Sequence, residues 1–193
     1  LDTMDHIVAD LRTCFLTENP VTFVLSAPGS IGMEASFVNI VEPGDTVIVC
    51  INGVFGGRMQ SICERIGANV VLVEDEWGTP VSPEKLSDAL DKNPQAGVVA
   101  FVHAETSTGV RSDAKTLAEI AKQRDCLVIA DTVTSLSGVE LRVDDWNLDV
   151  VYSGSQKCLS CVPGLSPITF SPAAIEKASS RKTPVQSWFC DTN

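Results

Sequence analysis

Apolar residues change their period repeatedly along this chain. Met4, Ile7, Val8, Leu11 and Phe15 recur at helical spacing, which predicts an amphipathic helix over 3–17, ended by Asn19-Pro20. Val21-Thr-Phe-Val-Leu25 reads as a strand. The small-residue turn Ser26-Ala-Pro-Gly-Ser-Ile-Gly32 follows, then a helical face of Met33, Phe37, Ile40 and Val41. After the turn Pro43-Gly-Asp45 comes a β-rich run over 46–51, and Asn52-Gly53 opens a loop carrying Phe55. Met59, Ile62, Cys63 and Ile66 mark the next helix, with Gly67 as its C-terminal cap. Asn69-Val-Val-Leu-Val73 is a strand and 74–80 an acidic, solvated loop. Ser82-Pro83 starts a helix through Leu86 and Leu90.

The second half continues the alternation. Gly97-Val-Val-Ala-Phe-Val102 is apolar throughout, as a strand covered on both faces should be. His103-Ala-Glu-Thr-Ser-Thr-Gly109 reads as a polar loop, and Ser112 as the cap of a helix bearing Leu117, Ile120 and Ala121. Cys126-Leu-Val-Ile-Ala130 is another buried strand with Asp131 at its end. Asp149-Val-Val-Tyr152 leads into a turn with Lys157, Leu165-Ser-Pro-Ile-Thr-Phe170 is a last strand, and Ser171-Pro172 starts a last helix. Such alternation predicts an α/β fold of three layers, α/β/α, around a mostly parallel sheet. Without repeats or low-complexity tracts, residues 1–193 read as one domain. The helical pattern already present at Leu1 and the abrupt stop at Asn193 predict an excerpt of a longer protein.

Composition narrows the function. With 44% apolar and 20% charged residues the chain is an ordinary globular sequence, and its net charge of −11 argues against a nucleic-acid partner. No apolar run approaches the roughly 20 residues of a membrane span, and no signal peptide is evident. Seven scattered cysteines fit a reducing cytoplasm. Cys158 and Cys161 form a C-x-x-C with no second pair or histidines to complete a metal site, so they are taken as packing and no metal is expected.

In a layered α/β protein the loops after the strands gather along one edge, where ligands bind. Those loops offer Pro28-Gly29-Ser30, Phe55, Glu105-Thr106-Ser107, Asp131 with Val133, and Ser155-Gln156-Lys157. Singly, each has a plainer explanation: a capped helix start, a core aromatic, a strand-end Asp capping a turn, a solvated lysine. His103 reads as a hydrogen-bonded core histidine. Together they meet the needs of pyridoxal 5′-phosphate. Its phosphate seeks the N–H groups of a helix start. Its ring nitrogen seeks a carboxylate, and its ring faces an aromatic and a small apolar residue. Its aldehyde seeks a lysine amine, which can later shuttle a proton. No dinucleotide fingerprint or Walker loop is present.

Asn52-Gly-Val-Phe-Gly-Gly-Arg58, Glu105-Thr-Ser-Thr-Gly109, Asp131-Thr-Val133 and Tyr152-Ser-Gly-Ser-Gln-Lys157 resemble the class V aminotransferases of pyridoxal-phosphate fold type I. The alanine–glyoxylate and serine–glyoxylate (serine–pyruvate) branch is the most similar, and the match runs in order over nearly the whole chain. The resemblance implies that Lys157 forms the Schiff base and that Asp131 pairs with the ring nitrogen. It places Phe55 and Val133 on opposite ring faces and Thr106 at the ring's 3′-oxygen. Gly29, Ser30 and Gln156 would hold the phosphate. Phe55 stands where relatives often carry tryptophan and Ser30 where they often carry histidine; phenylalanine can still stack and serine can still bond a phosphate.

The same resemblance makes residues 1–193 a cofactor-binding large domain, with the family's N-terminal arm and C-terminal small domain outside it. The arginine that clamps the substrate carboxylate lies outside too; Arg58 and Arg111 sit in other motifs. The expected enzyme is a homodimeric transaminase moving an amino group from alanine or serine to glyoxylate or pyruvate. Alternatives are a lyase or cysteine desulfurase on the same fold, or a catalytically inactive cofactor-binding relative. The desulfurase needs a mobile catalytic cysteine, whereas the cysteines here are placed in or beside core elements.

Overall fold

The computed structural model describes residues 2–192; the expectations placed on Leu1 and Asn193 fall outside them. In chain order the elements are α1 (Asp2–Phe15), β1 (Val21–Leu25), α2 (Gly29–Ile40), β2 (Thr46–Ile51) and α3 (Val54–Ile66). Next come β3 (Asn69–Glu74), α4 (Pro83–Lys92), β4 (Ala96–Val102), β5 (Ala104–Glu105) and β6 (Val110–Arg111). The chain continues with α5 (Ala114–Lys122), β7 (Leu127–Asp131), β8 (Val150–Tyr152), β9 (Ser166–Phe170) and α6 (Pro172–Ser179).

Seven strands form one sheet in the order β1-β9-β8-β7-β4-β2-β3. Neighbours from β8 to β3 run parallel, whereas β9 is antiparallel to both β8 and β1. A parallel return needs a crossover element, and the loop between β8 and β9 has none, so β9 comes back beside β8 in the opposite direction. Because β1 is antiparallel to β9, it runs with the parallel strands. The C-terminal ends of β1, β2, β4, β7 and β8 therefore share one edge.

Both faces of the sheet are covered, as the uninterrupted apolar runs require. Phe15 of α1, Leu86 and Leu90 of α4 and Leu117 of α5 pack on one face. Phe37 of α2, Met59 and Cys63 of α3 and Ala174 of α6 pack on the other. The period of two sorts β7 between these layers. Val128 and Ala130 join the first, Ile129 joins the second, and Asp131 must then point toward the α2/α3 side.

Local expectations are corrected in five places. The stripe of α1 is mostly solvent-facing, with Met4 59% exposed and only Phe15 buried, because just the last turn of the helix reaches the core. Phe55 lies in the first turn of α3 rather than in a loop, since α3 begins at Val54. The loop 103–109 contributes to a hairpin of β5 and β6. Asp113 caps α5 by accepting from Thr116 N, while the buried Ser112 accepts from Val81 N instead. Cys158 and Cys161 are exposed on the loop between β8 and β9, not packed. The remaining expected strands and caps form, including Ser82 and Ser171 as N-caps and Gly67 at φ 87° ending α3.

Asp149 ties three elements together just before β8. Its Oδ2 accepts from Lys122 Nζ of α5 and from Val128 N of β7, and its Oδ1 accepts from the Ser171 hydroxyl that caps α6. Removing one partner of a buried pair strands the rest. Asp149→Ala should cost about 3 kcal/mol in unfolding free energy, read by urea denaturation; a loss indistinguishable from zero contradicts this role.

Candidate active site

The shared edge of strand ends surrounds a cavity of about 200 Å³. All eight residues expected at the site line it: Gly29, Ser30, Phe55, Thr106, Asp131, Val133, Gln156 and Lys157. A larger groove of about 470 Å³ between α2 and α3 meets it at Ser30 and Arg58 but includes neither Asp131 nor Lys157.

One wall is the start of α2. No side chain caps this helix, so its first N–H groups are left for a ligand, and an anion suits them. The helix comes this close because residue 29 is glycine: a Cβ there would lie 3.1 Å from Val133 Cγ2 and 3.4 Å from Ser153 O. A second wall is the first turn of α3, whose N–H groups are capped from a distance. Glu105 Oε2 accepts from Phe55 N at 3.2 Å, and Ser107 Oγ accepts from Val54 N at 3.0 Å. Glu105 Oε1 accepts in turn from Ser107 N and Oγ. Gly53 makes room for this clamp, since its Cβ would fall 2.3 Å from Glu105 Cγ. The clamp fixes Phe55 against the hairpin that bears Thr106.

The back of the cavity is Asp131, 2% exposed at the end of β7. Its Oδ1 accepts from Val133 N at 2.9 Å and its Oδ2 from the Tyr152 hydroxyl at 2.7 Å. Burial raises its pKa from the ordinary 3.8 to about 6; the Val133 N–H, the Tyr152 hydroxyl and Arg58 pull it down, and Glu105 pushes it up. A carboxylate buried at such cost beside an open cavity fits a ligand that brings a cation. Lys157 and Gln156 lie on the exposed turn that forms the rim. Uncapped N–H groups, an aromatic and a valine, a buried carboxylate and an amine make a donor set that fits pyridoxal 5′-phosphate.

Three contributions escaped the sequence reading. Arg58 lines the cavity, donates from Nη1 to Ser30 Oγ at 2.8 Å and sits 4.8 Å from the Phe55 ring centroid. Its spacing of three from Phe55 on one helix face was the available signal, hidden by placing Phe55 in a loop. Glu105 is an anchor, and Tyr152 is a donor to Asp131. His103 is the expected core histidine, its Nδ1 3.0 Å from Ser135 Oγ and its ring edge-on to Trp146. Burial, then Arg111, holds its pKa near 4, so it is neutral at physiological pH. Burial pushes the Cys50 and Cys63 thiols up to about 12, which leaves them inert.

This sheet, with its cavity at the strand ends, is that of the pyridoxal-phosphate enzymes of fold type I. Residues 11–185 match the aminotransferase class-V family, and the chain belongs to that family. It is 36% identical over 192 residues to the alanine–glyoxylate aminotransferase of Drosophila melanogaster, covering 99% of this chain and 48% of the relative. The (S)-ureidoglycine–glyoxylate transaminase of Bacillus subtilis is 37% identical over 179 residues, 93% of this chain and 43% of the relative. A crystal structure of an alanine–glyoxylate aminotransferase from Nostoc sp. superposes with a TM-score of 0.95 at 43% identity, covering 98% of this chain and 50% of that one. The chain thus spans about half the length of the relatives it matches.

The raised Asp131 has a sign that can be checked. A carboxylate with raised folded pKa contributes stability that is full below 3.8 and is lost as pH rises through about 6. Without cofactor, the wild type should lose about 3 kcal/mol relative to Asp131→Asn across that window, with a level difference above it. Unfolding free energies from pH 4 to 8 measure this, and a difference that does not vary with pH contradicts it. Glu105→Ala should separately cost about 2 kcal/mol by unfastening α3 from the hairpin, read by the same method.

Proposed function

We propose that this chain is the cofactor-binding domain of a pyridoxal-phosphate-dependent aminotransferase. The enzyme transfers an amino group from a small amino acid, alanine or serine, to a 2-oxo acid, glyoxylate or pyruvate. The observation that carries the reading is that Lys157, Asp131, Phe55 and Val133 line one cavity. Glyoxylate as acceptor is supported by relatives that differ in amino donor and share it.

Bound in the cavity, the cofactor supplies an aldehyde that captures amines and a protonated ring that withdraws electrons from the neighbouring carbon. The chain's residues do the rest. Lys157 Nζ would hold the aldehyde and would be the base that takes and returns the substrate's α-proton. Asp131 would keep the ring nitrogen protonated. Phe55 and Val133 would pack on the ring, and Thr106 would donate to its 3′-oxygen. Gly29, Ser30 and Gln156 would hold the phosphate. The proposal includes a homodimer and no membrane partner, and a charge of −11 disfavours a nucleic-acid partner; among the described residues no helix is long and apolar enough to cross a membrane. A cytoplasmic setting is supported by seven free cysteines.

In the full-length enzyme Lys157→Ala should abolish amino transfer from alanine to glyoxylate, a loss of at least about a thousandfold, while the melting temperature is kept. Retained turnover sinks the assignment. Sulfide release from cysteine, or ammonia release, in place of transfer would point to the desulfurase or lyase. A bound cofactor whose absorbance ignores every added amino acid would point to an inactive relative.

A further inference from the structure

Tyr152 fills its place in the core as phenylalanine would, with one difference. Its ring is fully buried in the layer under α2, and its hydroxyl reaches Asp131 Oδ2 at 2.7 Å. The two residues are register partners on adjacent parallel strands, so their side chains leave the sheet on the same face. A buried phenol needs an acceptor and a buried carboxylate needs donors, and here each meets the other's need. Strand geometry makes the contact stiff. Asp131 is held at Oδ1 by a backbone N–H and at Oδ2 by a ring packed on all sides.

We infer that Tyr152 is a positioning residue that orients Asp131 toward the cavity and keeps it ionised there, so that it can pair with a cationic ring nitrogen. The inference rests on the cofactor proposed above. A donor to the charged form of an acid stabilises that form, and the phenol does so without entering the cavity. The other charged groups acting on Asp131 are Arg58 from α3 and Glu105 from β5, and Lys157 from the turn after β8 lines the same cavity; α2 brings no titratable group to the cavity. Arg58 lowers and Glu105 raises the pKa of Asp131 through space, whereas the neutral hydroxyl acts on it by direct contact.

The test uses the full-length protein freed of cofactor and two ligands: pyridoxal 5′-phosphate, and its analogue with carbon in place of the ring nitrogen. Tyr152→Phe should weaken the natural cofactor at least about tenfold, as expected for one hydrogen bond to a charged group, and leave the analogue's affinity unchanged. The acid limb of cofactor binding should move up in pH. Replacing Tyr152 by 3-fluorotyrosine, a stronger donor of the same shape, should move that limb down; this arm also serves if the phenylalanine variant fails to fold. Equal losses for both ligands, or no loss for either, overturn the inference and leave the proposed function standing. A wild-type protein that binds neither ligand overturns the proposed function and this inference with it.

Discussion

Asp131 ends β7 on the face that packs against α2 and α3, and the period of two gives it no other direction. A carboxylate in that layer is expensive to ionise. The chain offsets part of the cost with two donors, the Val133 N–H and the Tyr152 hydroxyl. Arg58 helps from across the cavity, and Glu105 opposes. Under the proposed function the remainder is met by the ring cation of the cofactor. On that proposal the site would favour a cationic ring before any substrate arrives, because a neutral ligand leaves the carboxylate as costly as it was.

The cavity walls depend on contacts that join remote parts of the chain through backbone groups. Glu105 and Ser107, just after β4, cap a helix that starts some fifty residues earlier. The start of α2 rests on Val133 and Ser153 because residue 29 lacks a Cβ. The antiparallel return of β9 keeps the loop after β8 on the edge where the other strands end. Phe55, Val133 and Asp131 are accordingly held by main chain and close packing, whereas Lys157 and Gln156 stand on an exposed turn. Under the proposed function, close-packed walls and an exposed lysine suit an amine that must bind one partner and act on another.

Much of this was legible in the residues. Continuous apolar runs announced strands covered on both faces, and Ser-Pro pairs announced two helix starts, because those signals act over four to seven neighbouring positions. The loops after the strands also offered the eight expected residues that line the cavity, because the strand ends of a layered sheet share one edge. Failures occurred where the deciding partner was distant. Phe55 reads as a loop residue in sequence because the groups that cap α3 come from beyond β4. Ser112 and Asp113 are adjacent candidates for one cap, and the choice fell to Asp113 because Ser112 is turned inward to Val81. Cys158 and Cys161 look apolar in sequence, yet the loop that carries them is exposed along almost its whole length from 156 to 165.

By itself the sequence determined the layers, the edge on which function gathers and the chemical types present there, since period, turn residues and the alternation of strands with helices are local signals. The tertiary structure alone decided which side chains meet across that edge. Arg58 entered the cavity with the helix turn that Glu105 holds, and Tyr152 became Asp131's partner only when β7 and β8 paired in one particular register. A hydrogen bond of 2.7 Å depends on that register to within one residue, and no local pattern carries it.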